Sequence, residues 1–571
     1  MKELLAALVL LSSTLVFAQT QLRYNQNQTP TYDEVIAIYK DLGAKYEKAQ
    51  FLTMGSTDSG RDLHLFLIGA KSVNDNTTIE EAVAGKAVVL INNGIHPGES
   101  CGIDASIEFA EGVLKNGNLN NVVYAIIPVY NIGGSLNRGT HSRANQLGPE
   151  QHGFRGNARN LDLNRDFIKA DSKNTKSFYQ IFQALQPHIF IDTHTSNGAD
   201  YQYTMTLIST QKDKLNPVLS KLMTSEMEPF LFKNMEKAGW EMTPYVNVFG
   251  YTPEKGFDAF LETPRYASGY TALFNTIGFI TETHMLKPYK DRVKSTLAFL
   301  NLMAKYSEAN HEKLIAAKNE ATKWDKARKS FDLNWTIDTA AVIKLKFKGY
   351  EYEYLPSNIG DYQRLKYLAD KPKTYTVNYR DTYKATDSAA VPRYFVIPQA
   401  WTEVIENLED NYVEMTRLGR DTLLEVSSYY VKDAEFASAL PYEGHFPLRK
   451  MRLEKEAQQR KFLKGDYLIS TSQNSIRFIM AVLEPNAVDS YLRWNYFDEI
   501  FQQKEYFSAY VFEDTAEKLL ADNPDLRKSF EEWKSANPEA AKNVYAALFF
   551  IYQHSPYYEK EHLRYPVARI E

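Results

Sequence analysis

The chain is nearly without cysteine: Cys101 stands alone among 571 residues. An intramolecular disulfide and a cysteine-rich zinc cage are both excluded. A basic excess is missing too. The 66 Lys and Arg are outnumbered by 71 Asp and Glu, a formal net charge of -5. Such a surface does not neutralise a phosphate backbone, so no nucleic-acid partner is expected. Long apolar runs are absent beyond the first twenty residues, and no membrane span is expected once that segment is removed. The composition is not that of a disordered chain, with 44% hydrophobic and 24% charged residues. At about 150 residues per domain, the length predicts two to four domains.

The sequence opens MKELLAALVLLSSTLVFAQT. Lys2 is a positive n-region, Leu4 to Val16 an apolar core, and Val16-Phe17-Ala18 a cleavage site before Gln19. This pattern predicts a signal peptide over residues 1–18 and an exported protein, periplasmic or secreted. The stretch is short for a membrane anchor, which takes about 20 residues. No zymogen-type propeptide is visible between residue 19 and the start of the next pattern.

Short continuous apolar runs then alternate with helical spacings. Lys86 to Ile91, Val122 to Val129, Ile189 to Asp192 and Gly278 to Thr281 read as buried strands. Cys101 to Leu114 carries a helical apolar stripe. Strands separated by helices predict an α/β domain with a mixed, largely parallel sheet and helices on both faces. This domain is expected over residues 19–310, followed by a charged helical linker over 311–335. Residues 336–571 are expected to form a tyrosine-rich accessory domain, first β and then helical, because 23 of the 38 tyrosines fall there. Strict alternation from Ile343 to Leu355 predicts a half-buried strand, and shorter ones are expected near Lys373–Tyr379 and Tyr394–Ile397. Helices are expected over Ala487–Tyr506, Thr515–Ala521 and Pro538–Tyr552.

Chemistry concentrates at the strand ends. In NNGIHPGES, His96 and Glu99 follow the first buried strand and open a helix. Ligands gather beyond the carboxyl ends of parallel strands. A spacing of three lets both side chains reach one ion, although a loop histidine beside a glutamate favoured by the helix dipole has the same pattern. His194, in IFIDTHTS, ends another strand and supplies a possible third donor. Two histidines, one carboxylate and an open fourth position form a catalytic rather than a structural zinc set. Arg155, Asn164 and Arg165 lie in the polar segment GFRGNARNLDLNRDF, and an Asn-Arg pair can hold a carboxylate by a charge-assisted fork. Glu282 ends the apolar strand GFITETH, where a carboxylate beside an activated water can act as general base.

The ordered set HPGE, LDLNRDF, DTHTS and FITETH resembles the zinc metallocarboxypeptidases of the carboxypeptidase A type. Upstream, GSTDSGRDLHLFLIG resembles the family's early strand pair. The likeness covers about residues 25 to 305, and the chain resembles the exported bacterial type with a long C-terminal extension. It implies one zinc ion bound by His96, Glu99 and His194. A zinc-activated water would attack a peptide ending in a free carboxylate, with Glu282 as general base. It implies that Arg155 stabilises the oxyanion, that Asn164 and Arg165 clamp the terminal carboxylate, and that Asp162 orients a zinc-bound histidine, with His96 as its partner. Arg143 is a rival for the oxyanion role. Tyr266 is the first candidate for a substrate-capping tyrosine and Tyr251 the second. His284 either tunes Glu282 or simply ends the strand. Two other functions remain open at this point: a zinc amidase acting on cell-wall stem peptides, and a non-catalytic peptide- or glycan-binding protein.

Overall fold

The computed structural model describes residues 22–117 and 119–571, so the expected signal peptide lies outside the described residues. The chain divides into two compact units. The first is built on an eight-stranded sheet. Its strands are β1 (Ala49–Ser56), β2 (Asp62–Ile68), β3 (Ala87–Asn92), β4 (Val122–Ile127), β5 (Ile189–Ser196), β6 (Met205–Ser209) and β7 (Met242–Pro244). A two-residue β8 (Phe257–Asp258) belongs elsewhere, and β9 (Ile277–His284) completes the set. The spatial order is β1-β2-β4-β3-β5-β9-β6-β7. The central strands β4, β3, β5 and β9 run parallel. Strands β1 and β2 close one edge antiparallel, and β6 lies antiparallel to β9. The fold is α/β with a mixed sheet, as the alternation of apolar runs and helical spacings predicts.

Both faces of this sheet are covered. Strand residues such as Val89, Ile91, Tyr124, Ile189 and Phe279 join one core with the helices Tyr32–Lys45, Cys101–Asn116 and Tyr289–Ala309. The even-numbered Phe190 instead meets Phe178 of the helix Lys173–Leu185. A strand alternates its side chains between faces, so Asp192 and His194 share the face of Phe190. Double coverage also explains why β3, β4 and β5 are buried at every position and read as unbroken apolar runs. Gly102 lets the helix Cys101–Asn116 approach β5, because a Cβ there would collide with the Thr193 side chain.

The division of the chain differs from the expected boundaries. The first unit runs to Trp324 and takes in Thr336–Lys384, whereas the second comprises Asp325–Trp335 and Ala385–Glu571. The expected linker over 311–335 is largely the helix His311–Ala327, whose Leu314, Ala317 and Ala321 are buried in the first core. Apolar burial, not spacing, is its role. After β10 (Ser330–Ile337) come the long strands β11 (Ile343–Pro356) and β12 (Gln363–Arg380). They pair antiparallel, and β12 adds β8 at its end. Phe347, Tyr375 and Val377 pack there with Tyr201, Tyr203 and Phe257. The first part of the expected accessory domain is thus a wall of the catalytic unit.

The second unit holds a six-stranded sheet and several helices. The segment 487–506, expected to be helical, is mostly turns with the single 3-10 turn Asp498–Phe501. Ser490 accounts for part of this: its hydroxyl bonds Pro485 O and accepts the Arg493 N–H. Such local bonds compete with a helix. Among the described residues no helix is long and apolar enough to cross a membrane.

Candidate metal centre and substrate cavity

The three strand-end motifs converge. His96 and Glu99 lie between β3 and the helix Cys101–Asn116, in a tight turn closed by Glu99 N–H donating to His96 O at 2.8 Å. His194 stands on the neighbouring strand β5, and its register partner on β9 is Glu282. One donor atom from each of His96, Glu99 and His194 falls within 4.8 Å of the others, and all three residues are buried. The imidazole centroids are 5.1 Å apart.

The surroundings fit a divalent cation. His96 Nε2 lies 2.9 Å from Asp162 Oδ1 and His194 Nε2 lies 2.9 Å from Asp192 Oδ2. Both Nδ1 atoms are thereby turned towards Glu99, at 3.2 Å for His96 and 3.0 Å for His194. His96 Nδ1 is buried and has no hydrogen-bond partner. A carboxylate behind each imidazole fixes ring and tautomer for a metal. The charge balance agrees. Burial alone would lower the His194 pKa, yet Asp192 and Glu99 raise it well above the ordinary value. Burial alone would raise that of Glu99, yet Arg143 and His96 hold it well below the carboxylate range. The centre is built to hold positive charge. Asp192 went unnoticed in the sequence, although its place two residues before His194 on a strand puts both on one face.

Asp162 also serves the neighbouring arginines. It accepts from Arg155 Nε at 3.0 Å and lies 3.9 Å from Arg165 Nη1. Its own backbone position caps the short turn Leu163–Arg165, where it accepts the Asn164 N–H at 3.0 Å. We expect Asp162→Asn to weaken metal retention by about 10- to 100-fold, measured by competition with a chromophoric chelator; unchanged retention would remove this residue from the centre.

The cavity over this centre has a volume of about 680 Å³. Arg143, Arg155, Asn164, Arg165, Tyr266 and Glu282 all line it. Arg155 reaches to 3.6 Å from Glu99 Oε1 with its side chain 45% exposed. Arg143 is more enclosed, donating to Glu99 Oε1 at 2.7 Å and to Gln146 Oε1 at 3.2 Å. Gly98 makes room for it, since a Cβ there would collide with the Arg143 guanidinium. Arg165 stacks on Tyr266 at 4.4 Å. Asn164 Oδ1 accepts the Ala267 N–H at 3.0 Å, tying the turn to the helix Ala267–Ala272. Tyr251 does not line the cavity; it packs beside the aromatic cluster around Phe347. Tyr245 does line it and has no motif to announce it. Poor solvation, opposed in part by His194, pushes the Glu282 carboxyl up to about 8. His284 Nε2 meets Asp200 at 3.0 Å and its ring stacks on Tyr201 at 4.1 Å.

The chain is similar to known proteins over part of its length. Residues 35–228 match the zinc carboxypeptidase family model. That segment contains His96, Glu99 and His194 but ends before Glu282. The chain is similar to carboxypeptidase 2 of Trichophyton tonsurans, with 22% identity over 501 residues, 81% of this chain and 83% of that protein. Carboxypeptidase 2 of Trichophyton rubrum is 21% identical over 499 residues, 81% of this chain and 83% of that protein. Among solved structures, the metallo-carboxypeptidase of Pseudomonas aeruginosa in complex with (2-guanidinoethylmercapto)succinic acid aligns with a TM-score of 0.37 and 13% identity, covering 50% of this chain and 70% of its own. Carboxypeptidase A of Helicoverpa armigera aligns with a TM-score of 0.35 and 14% identity, over 52% and 75%. The family match and the curated relatives define a peptide hydrolase. Over residues 35–228 the chain is similar to the zinc carboxypeptidase family.

Proposed function

We propose that the protein is a zinc-dependent carboxypeptidase that removes residues from the free C-terminus of peptides. The observation that supports this most is the donor set His96, Glu99 and His194 with Glu282 in register beside it. A zinc ion held there would lower the pKa of water to about 7 and polarise a carbonyl. Glu282 takes a proton from the attacking water and delivers it to the leaving amine. Arg155, partly exposed and adjacent to Glu99, donates to the developing oxyanion. Arg143, tied to Glu99 and Gln146, is less free to do so. Asn164 and Arg165 bind the terminal carboxylate, and Tyr266 keeps the Arg165 guanidinium in place by stacking. Asp162 and Asp192 hold the two imidazoles. Residues 1–18 support an export role.

The clamp sets a test. A peptide ending in a free carboxylate should be hydrolysed at least about 100-fold faster in kcat/KM than its C-terminal amide, because the amide leaves the buried polar groups of the clamp unpaired. Equal turnover of acid and amide removes the clamp and favours the amidase reading, which turnover of muropeptides over plain dipeptides would support.

A further inference from the structure

Arg143 lines the cavity but has no step in the reaction above. Its guanidinium donates to Glu99 Oε1 at 2.7 Å, and its side chain is only 19% exposed. The other carboxylate oxygen, Oε2, accepts the Thr195 N–H at 2.8 Å. Each oxygen of Glu99 therefore has a donor apart from the two imidazoles. A charge-assisted bond of this kind fixes orientation as well as charge.

The guanidinium is itself placed by several contacts. Gly98, next to Glu99, leaves the space it fills, since a Cβ there would lie 2.2 Å from Arg143 Nε. Gln146 accepts from Arg143 Nη1 and donates through Nε2 to Gly98 O at 2.8 Å and to Gly148 O at 3.0 Å. The arginine is thus tied back to the turn that carries His96 and Glu99. The loop around it is fastened from two further sides. Arg292, fully buried on the helix Tyr289–Ala309, donates to Leu147 O at 2.8 Å and Gly148 O at 2.5 Å. Leu147 N–H donates to Met285 O at 2.9 Å, three residues past Glu282. On the other side lies the segment 23–30. Its Asn27 O accepts the Glu150 N–H at 2.9 Å, and its Thr29 O accepts from Arg138 at 2.7 Å. The Thr29 hydroxyl donates to Asp104 Oδ2 at 2.7 Å, which anchors the segment to the helix Cys101–Asn116. Gly148 has a φ of +76°, and a Cβ there would lie 1.9 Å from Asn27 Oδ1.

We infer that Arg143 is a positioning residue of the metal centre. It holds Glu99 in the orientation that meets His96 and His194, and the loop 138–150, fastened by Arg292 and by residues 23–30, holds Arg143. The inference rests on the carboxypeptidase reading through its metal centre. The same contact could serve the opposite role, a guanidinium that competes with the cation for Glu99, and the two roles differ in sign. Competition with a chromophoric chelator on the full-length zinc-loaded protein separates them. Arg143→Gln should weaken zinc retention by about 10- to 100-fold, the range for a residue that orients a metal ligand. In the cobalt(II)-substituted protein the same variant should shift the visible absorption bands, because the carboxylate turns. Gly148→Ala alters no residue of the cavity wall and should weaken retention by a smaller factor, by pressing the loop against Asn27. Where Gly148→Ala does not fold, Gln146→Met, which releases Arg143 from Gly98 and Gly148, must give that result instead. Tighter retention in Arg143→Gln overturns the inference in favour of competition. Unchanged retention or an unchanged cobalt spectrum in Arg143→Gln overturns it outright, and unchanged retention in the folded loop variant overturns the role of the loop. The carboxypeptidase reading survives each of these results. It fails only if the unaltered protein holds no zinc or hydrolyses no peptide with a free terminal carboxylate.

Discussion

Glu282→Gln should cost about 10²- to 10⁴-fold in kcat/KM, the range that a positioned general base supplies, while zinc stoichiometry by elemental analysis stays at the level of the unaltered protein. The amide is nearly isosteric and Glu282 is not among the clustered donor atoms, so the centre should load as before. What is lost is the acceptor for the water's proton. The pH profile gives the same residue a second signature. A base works only when deprotonated, so activity falls as pH falls through its pKa. Poor solvation lifts that pKa to about 8 in the metal-free protein, and His194 opposes the rise. A bound cation adds to the opposition. The acidic limb of kcat/KM should therefore fall between the ordinary glutamate value of about 4.3 and about 8, and should be absent from the residual activity of Glu282→Gln. Full activity in that variant would end the enzymatic account.

The second large effect is metal removal. Chelation, or His194→Ala, should abolish hydrolysis, and added zinc should restore it after chelation but not in the variant. Stability should move as well. A ligand that binds only the folded state adds about 4 kcal/mol at a thousandfold excess over its Kd, so the zinc-loaded protein should melt well above the stripped one. The stripped protein should still be folded, because the large core around Val89, Tyr124, Ile189 and Phe279 does not include the donors. Calorimetry of loaded and stripped samples checks this. Identical melting would mean that the three donors do not bind the ion.

The candidate residues are legible in the sequence where chemistry and pattern coincide. Three of the four motifs lie at the end of an unbroken apolar run, and such runs become central parallel strands whose ends share one rim. His96, Glu99, His194 and Glu282 were visible for that reason, and Asn164 and Arg165 by their resemblance to a known order. Asp192 was hidden because it sits within the run and reads as part of the strand. Tyr245 was hidden because aromatic residues in irregular segments have no periodicity. The domain boundary failed for a related reason. Phe347 and Tyr375 pack with Tyr201 and Phe257, a contact between segments 90 or more residues apart, and local alternation says only that a strand exists, not which core it covers.

That contact bears on how the protein can be cut. A polypeptide ended near residue 310 or 335 would carry every zinc donor and the general base, yet it would expose Tyr201, Tyr203 and Phe257 to water and lose the helix or ribbon that shields its flank. Since Tyr201 also stacks on His284, two residues from Glu282, the damage would reach the reaction centre. A minimal catalytic fragment has to extend through residue 384 and must carry the 325–335 excursion with it.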